Sequence, residues 1–121
     1  AFETSSEEII DLLDKSKNKY FERIENFKVR FNTKLIIQID QEKLYFIDSQ
    51  KQNSKIIDKS QLKNLENFVK INTDKNLLTN ILKGPKYAHW NNAEVGSHLK
   101  FFRFPDNYER GFYYSLSFLH C

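Results

Sequence analysis

Asn67-Phe68-Val69-Lys70-Ile71-Asn72-Thr73-Asp74-Lys75-Asn76-Leu77-Leu78-Thr79-Asn80-Ile81-Leu82-Lys83-Gly84-Pro85 changes its hydrophobic period in mid-stretch. In Asn67–Asn72, Val69 and Ile71 alternate with Phe68 and Lys70, the spacing of a strand. Thr73 or Asp74 then caps a helix, because a short oxygen-bearing side chain can accept a free backbone N–H at a helix start. Leu77, Leu78, Ile81 and Leu82 form its buried face. Gly84 tolerates the left-handed cap and Pro85 cannot continue the ladder, so the helix stops there. Strand and helix share one chain, and the fold class is read as α+β.

Upstream, Ser5 and Glu8 are spaced as a capping box, and Glu7 and Glu8 suit the positive end of a helix dipole. Ile9, Leu13, Tyr20, Ile24 and Phe27, flanked by Ile10, Leu12 and Phe21, recur at helical spacing, which predicts a helix from Glu7 to Asn26. Two strands follow, at Lys34–Asp40 with Leu35, Ile37 and Ile39 on one face, and at Lys43–Asp48 with Leu44 and Phe46 opposed to Tyr45 and Ile47. A short polar break between them suggests a hairpin. Ser49–Asn53 reads as a loop, Ser54–Asp58 as a third strand, and Lys59–Glu66 fits neither period. Downstream of Pro85 a short helix is predicted to end at Gly96, with a fifth strand over Ser97–Phe104. Asp106 and Glu109 read as a second capping box, opening a last helix with Tyr108, Phe112, Leu116 and Leu119 on one side. The expected architecture is a mixed, mainly antiparallel sheet of about five strands with helices packed on it, as one domain over residues 1–121.

A chain of 121 residues with 40% hydrophobic and 15% aromatic content can fill one core. The formal charge of +3 is modest, and 15 of the 19 basic residues are lysines scattered along the chain. A nucleic-acid stripe would cluster more tightly, and the glycine-aromatic pattern of the common RNA-recognition module is missing. Nucleic acid is therefore not an expected partner; were it one, Tyr45 and Phe102 are the residues to expose a ring for stacking. No stretch approaches the roughly 18 apolar residues of a membrane span. A single cysteine, Cys121, excludes an internal disulfide framework and fits a reducing, cytoplasmic setting. The sequence holds no methionine, so it is expected to be a segment of a larger protein.

The block Tyr87–His98 gathers two histidines, the only tryptophan, two amides, a carboxylate and a hydroxyl around Gly96. His89, Glu94 and His98 carry atoms that suit zinc or iron. Their spacing of five and four, broken by Gly96, does not put them on one helical face, so bonds to backbone groups around the turn are expected and no metal site is assigned. Trp90 is either a core or domain-interface anchor or a stacking platform for a sugar or base. Asn91 and Asn92 either cap the short helix or read a polar ligand. Arg103 and Arg110 stand out in a lysine-rich chain. Their planar guanidinium groups suit an ion pair with Glu94, Asp106 or Glu109, or else a phosphate. Ser97 and His98 are adjacent and have no evident acid to orient the imidazole, so they form no triad and no catalytic residue is assigned.

The element order, with Val69-Lys70-Ile71-Asn72-Thr73-Asp74, Leu77-Leu78, Ile81-Leu82-Lys83-Gly84, Ala93, Gly96 and Leu99-Lys100-Phe101, resembles the sterol-carrier-protein-like fold. A further resemblance lies in His89-Trp90-Asn91-Asn92-Ala93-Glu94-Val95-Gly96-Ser97-His98-Leu99, then Phe102-Arg103 and Pro105-Asp106-Asn107-Tyr108-Glu109-Arg110-Gly111. It looks like the C-terminal part of large metallo-β-lactamase-fold proteins, some of which resemble Rieske-type sugar-nucleotide hydroxylases. These resemblances imply a noncatalytic accessory domain at the C-terminus of a larger metal-dependent hydrolase or oxygenase. The catalytic domain of that parent chain is the implied partner, with a homo-oligomer as a further possibility. Zinc or iron would belong to the parent; this segment carries neither a histidine-rich metal motif nor Rieske ligands, and no cofactor is assigned to it. The alternative is a binding module of sterol-carrier type, holding a lipid or other small apolar ligand between sheet and helices.

Overall fold

A computed structural model of the chain describes residues 5–84, 99–104 and 109–121. Helix α1 spans Ser6–Asn26, and the Ser5 hydroxyl accepts the Glu8 N–H at 3.2 Å. Ile9, Leu13, Ser16, Tyr20 and Ile24 form its buried stripe. Phe27, expected to continue that stripe, is 62% exposed. The helix ends at Asn26, and Phe27 stacks its ring on Phe118 at 5.2 Å.

Strands β1 (Lys34–Gln38), β2 (Lys43–Asp48), β3 (Asn53–Asp58), β4 (Phe68–Thr73) and β5 (Leu99–Phe104) form one sheet in the order β3-β2-β1-β4-β5. The β1–β2, β2–β3 and β4–β5 pairs are antiparallel, whereas β1 and β4 are parallel. The predicted hairpin and the five strands are present, with ends shifted by a residue or two. The chain must cross from β3 at one edge to β4 beyond β1. It does so through a 3-10 helix, Lys59–Asn64, in the stretch whose period was ambiguous. Leu62 and Leu65 from this crossover pack on Ile36, Leu44, Phe46, Ile57 and Phe68, a second core on the outer sheet face.

The inner face carries the larger core. Helix α2 (Lys75–Lys83) starts where Asp74 accepts the Leu77 N–H at 2.9 Å and stops at Gly84, whose φ of +129° few other residues adopt. Leu78, Ile81 and Leu82 are buried and Leu77 partly so. Helix α3 (Arg110–Ser115) continues into a 3-10 turn, Leu116–Phe118. Phe112, Leu116 and Leu119 are buried beside α1, as the spacing predicted, and Tyr114 is exposed. The Tyr20 hydroxyl meets Ser115 Oγ at 2.8 Å, joining α1 to α3 inside the core.

The capping box expected of Asp106 and Glu109 does not describe Glu109, and Asp106 lies outside the described residues. Glu109 is itself the N-cap and its side chain makes no cap bond. Its carboxylate turns instead to the lead-in of β1, accepting the N–H groups of Asn32 and Thr33 and the Thr33 hydroxyl. The chain end is tied down as well. Arg23 donates to the carbonyls of Phe118 and His120 at 2.7 and 2.8 Å, and the Cys121 N–H donates to Leu82 at 2.8 Å. Among the described residues no helix is long and apolar enough to cross a membrane.

Candidate functional site

The distinctive block falls outside the described residues, and with it His89, Trp90, Asn91, Asn92, Glu94, Ser97 and His98. The two arginines are described, and they lie in different settings. Arg103 pairs across strands with Val69, on the sheet face turned towards α3. Its Nε donates to the Tyr113 hydroxyl, and the guanidinium stands 5.2 Å from the centre of that ring. Arg110 is exposed at the first turn of α3. Glu109, one of the acids expected beside them, has its carboxylate on the Asn32–Thr33 backbone. Among the described residues no group of three or more His, Cys, Asp or Glu side chains is placed to hold a metal ion.

A polar cluster that the sequence did not announce joins α1 to the β2–β3 hairpin. The Tyr45 phenol donates to Asp14 at 2.5 Å, and Lys17 Nζ donates to Ser54 Oγ at 2.7 Å, 4.0 Å from Asp14. A tyrosine, a lysine and a serine can share acid–base work when the phenol is made more acidic. Here burial, and then the bond to the Asp14 carboxylate, push the phenol pKa well above its usual range. The phenol stays protonated and the cluster acts as a clamp. Tyr45 is 1% exposed, which removes it as a candidate for ring stacking. The reason is register: Tyr45 faces the helices with Ile47, where Asp14 receives its hydroxyl.

Phe102, by contrast, is 54% exposed, and Phe104 is 48% exposed. Both lie on the outer face of β5, beside the second core. The register sets Lys55 opposite Phe46, Phe46 opposite Ile36, Ile36 opposite Lys70 and Lys70 opposite Phe102. One row of outer-face side chains therefore crosses all five strands. Two lysines in it lie over rings: Lys55 Nζ is 5.4 Å from the Phe46 centroid and Lys70 Nζ is 5.9 Å from that of Phe102. Phe68, one residue pair along, sits 6.3 Å from Phe102 and 6.0 Å from Phe104, centroid to centroid.

Between the crossover and these rings runs a groove of about 310 Å³. Leu62, Leu65, Phe68, Phe102 and Phe104 line it, with Lys63 and Lys70. Partial burial among the rings lowers the Lys70 pKa below its ordinary 10.5, and the charge of Lys59 lowers it further. The groove thus pairs an apolar floor with a local excess of positive charge. Its advance signals were Phe102 and the alternation that sets Phe68 and Lys70 opposite Val69 and Ile71. The others were hidden because Leu62, Lys63 and Leu65 belong to the aperiodic crossover, and Phe104 is the last residue of its strand. A different cavity, of about 280 Å³, is polar and lies by Asp40, Asn72 and Lys75. Asp40 there caps its own turn, accepting the N–H groups of Glu42 and Lys43 at 2.9 and 2.8 Å, which holds its pKa low.

Compared with known protein families, with curated proteins and with solved structures, the chain matches none of them.

Proposed function

We propose that this chain is a noncatalytic interaction domain whose contact surface is the outer sheet face at β4 and β5. The observation that carries the reading is the pair of half-exposed rings, Phe102 and Phe104, set against a buried aromatic neighbour and two leucines. Contiguous apolar surface of this kind, edged by charge, marks sites of contact rather than ordinary solvent-facing surface. Scattered single apolar residues carry no such meaning, but these converge on one groove. In this proposal the partner is the catalytic domain of a larger metal-dependent enzyme, as the resemblance of His89–Leu99 and its flanks implies. The fold we assign is sterol-carrier-like. A helix, three strands, a crossover to a further strand, a helix ending at Gly84, then a strand and a helix support that assignment.

The test compares amide hydrogen exchange of β4 and β5 in the isolated chain and in the parent protein. The proposal expects β5 to be protected in the parent, and Phe102→Ser/Phe104→Ser to weaken assembly while leaving the isolated domain folded. Equal exchange in both contexts, with assembly intact in the double variant, would sink it.

One observation favours a second reading. The groove volume lies at the low end of the range for small-molecule sites, about 300–1,000 Å³. A small apolar ligand would then occupy the outer groove rather than the space between sheet and helices. That inner space is filled by Leu13, Tyr20, Ile37, Ile71, Leu78 and Phe112, all at 1% exposure or less. A thermal shift on adding dodecanoate, lost in Phe102→Ser, would favour this alternative.

A further inference from the structure

We infer that the occupant of the outer groove is a protein segment that combines large apolar side chains with carboxylates. The inference rests on the reading of this face as an interaction surface and adds the chemistry of its partner. Three observations carry it.

The first is the shape of the groove. Two of its walls are the aliphatic side chains Leu62 and Leu65. Phe68, its central ring, is buried beneath its neighbours. Such a floor receives side chains that insert, as in the recognition of peptide segments. A base-stacking platform needs rings whose flat faces are free along a path.

The second is charge. Lys63 and Lys70 line the groove, and among the described residues no carboxylate lines it with them. The charge that acts on Lys70 is a further cation, Lys59. Among the described residues the ion pairs lie elsewhere, joining Lys15 with Asp11, Lys17 with Asp14 and Arg30 with Glu25. A segment bearing acids would relieve this excess of positive charge.

The third argues against self-association. A second copy of the chain seated on the same patch would bring Lys63 and Lys70 against their own counterparts. Like charges facing each other across an interface suppress that partner. The same lysines repel a basic segment and attract an acidic one.

The experiment uses the whole chain with two synthetic peptides that share the same leucines and phenylalanines. One carries glutamates between them and the other carries lysines. Binding is read by fluorescence anisotropy, and the contact site by amide chemical shifts. The acidic peptide is expected to bind at least about tenfold more tightly than the basic one, and to lose affinity as added salt shortens the screening length. Shifts should centre on Leu62, Leu65, Phe102 and Phe104. Lys63→Glu/Lys70→Glu should invert the preference. Lys63→Glu alone, at an exposed position, should reduce it if the double variant fails to fold. Phe102→Ser/Phe104→Ser should abolish binding of either peptide.

Equal affinities, a preference for the basic peptide, or no binding at all would overturn the inference. So would tighter binding of a mixed-sequence single-stranded oligonucleotide at these residues, which would make the face a nucleic-acid platform. Self-association abolished by Phe102→Ser would assign the face to a second copy. Where the phenylalanine variants disrupt assembly of the parent and the peptides show no charge preference, the interaction surface stands and only its acidic partner falls.

Discussion

Removing the Glu109 side chain isolates one of the longest-range polar contacts in the fold. Its carboxylate joins the start of α3 to the lead-in of β1, accepting from Asn32 N at 3.0 Å, from Thr33 N at 2.7 Å and from the Thr33 hydroxyl. A hydrogen bond to a charged group contributes about 1.5–3 kcal/mol. Here three donors share one group that remains partly in solvent, so screening reduces the total well below their sum. We expect Glu109→Ala to cost about 2 kcal/mol. For a chain of this size that corresponds to a fall in Tm of roughly 6–10 °C.

The pH dependence supplies the sharper check. Burial alone would raise the Glu109 pKa, but the bonds from Thr33 and from the Asn32 and Thr33 backbone outweigh it, and the net shift is downward from about 4.5. A carboxylate whose folded pKa lies below its unfolded value stabilises the fold above that unfolded value. The contribution disappears as the pH falls through the folded pKa. Thermal melts of the parent sequence and Glu109→Ala should therefore be well separated at neutral pH and converge in acid, as the pH falls from the ordinary carboxylate range through the lowered folded pKa. A gap that stays constant across this range, or one below about 0.5 kcal/mol at neutral pH, the level of an ordinary surface substitution, would refute the reasoning.

Tyr20→Phe removes the hydroxyl that meets Ser115 Oγ in the core and should cost about 1–1.5 kcal/mol; a double-mutant cycle with Ser115→Ala measures the coupling. Gly111→Ala should destabilise although alanine favours helices by about 1 kcal/mol, because an added Cβ would lie 2.9 Å from the Arg30 carbonyl oxygen; a rise in denaturant midpoint would contradict this close approach. Ile36→Ala should cost about 2–4 kcal/mol, as expected of a buried core position, whereas Phe102→Ala on the same outer face should cost under about 1 kcal/mol; similar losses at the two sites would show that the face is not divided as described.

Local signals were legible where one residue decides one bond. Ser5 and Asp74 are caps because their oxygens reach a free N–H, and Gly84 ends α2 because of its backbone freedom. The alternation in β1, β2 and β4 was also readable. The mixed, mainly antiparallel character of the five-strand sheet was expected and is present, but the strand order was not legible, since no local period tells which distant strand becomes the neighbour. Glu109 shows the same limit: its spacing from Asp106 suggested a cap, but a strand lead-in distant in sequence supplied better donors. Phe27 continued a helical stripe by spacing and lost its burial because the helix ended first. The Tyr87–His98 block stood out by composition, and its position lies outside the described residues.

The outer face follows from these same strands. Ile36 stands between Leu35 and Ile37, Phe46 between Tyr45 and Ile47, and Phe68 precedes Val69, so β1, β2 and β4 are apolar on both sides. Strands patterned in this way require two covers. Helices provide the inner one. The outer one, among the described residues, is a six-residue 3-10 helix. At about 2.0 Å rise per residue it is roughly 12 Å long. Five strands spaced by about 4.8 Å span roughly 19 Å from first to last. Even laid straight across the sheet, that helix cannot reach both edges. Leu62 within it and Leu65 just after it pack on Ile57, Leu44, Phe46, Ile36 and Phe68, and on β5 Phe102 and Phe104 are left half in solvent. Among the described residues a short crossover thus lies over a wide sheet, and in our proposal a partner completes the second layer at the groove beside Lys63 and Lys70.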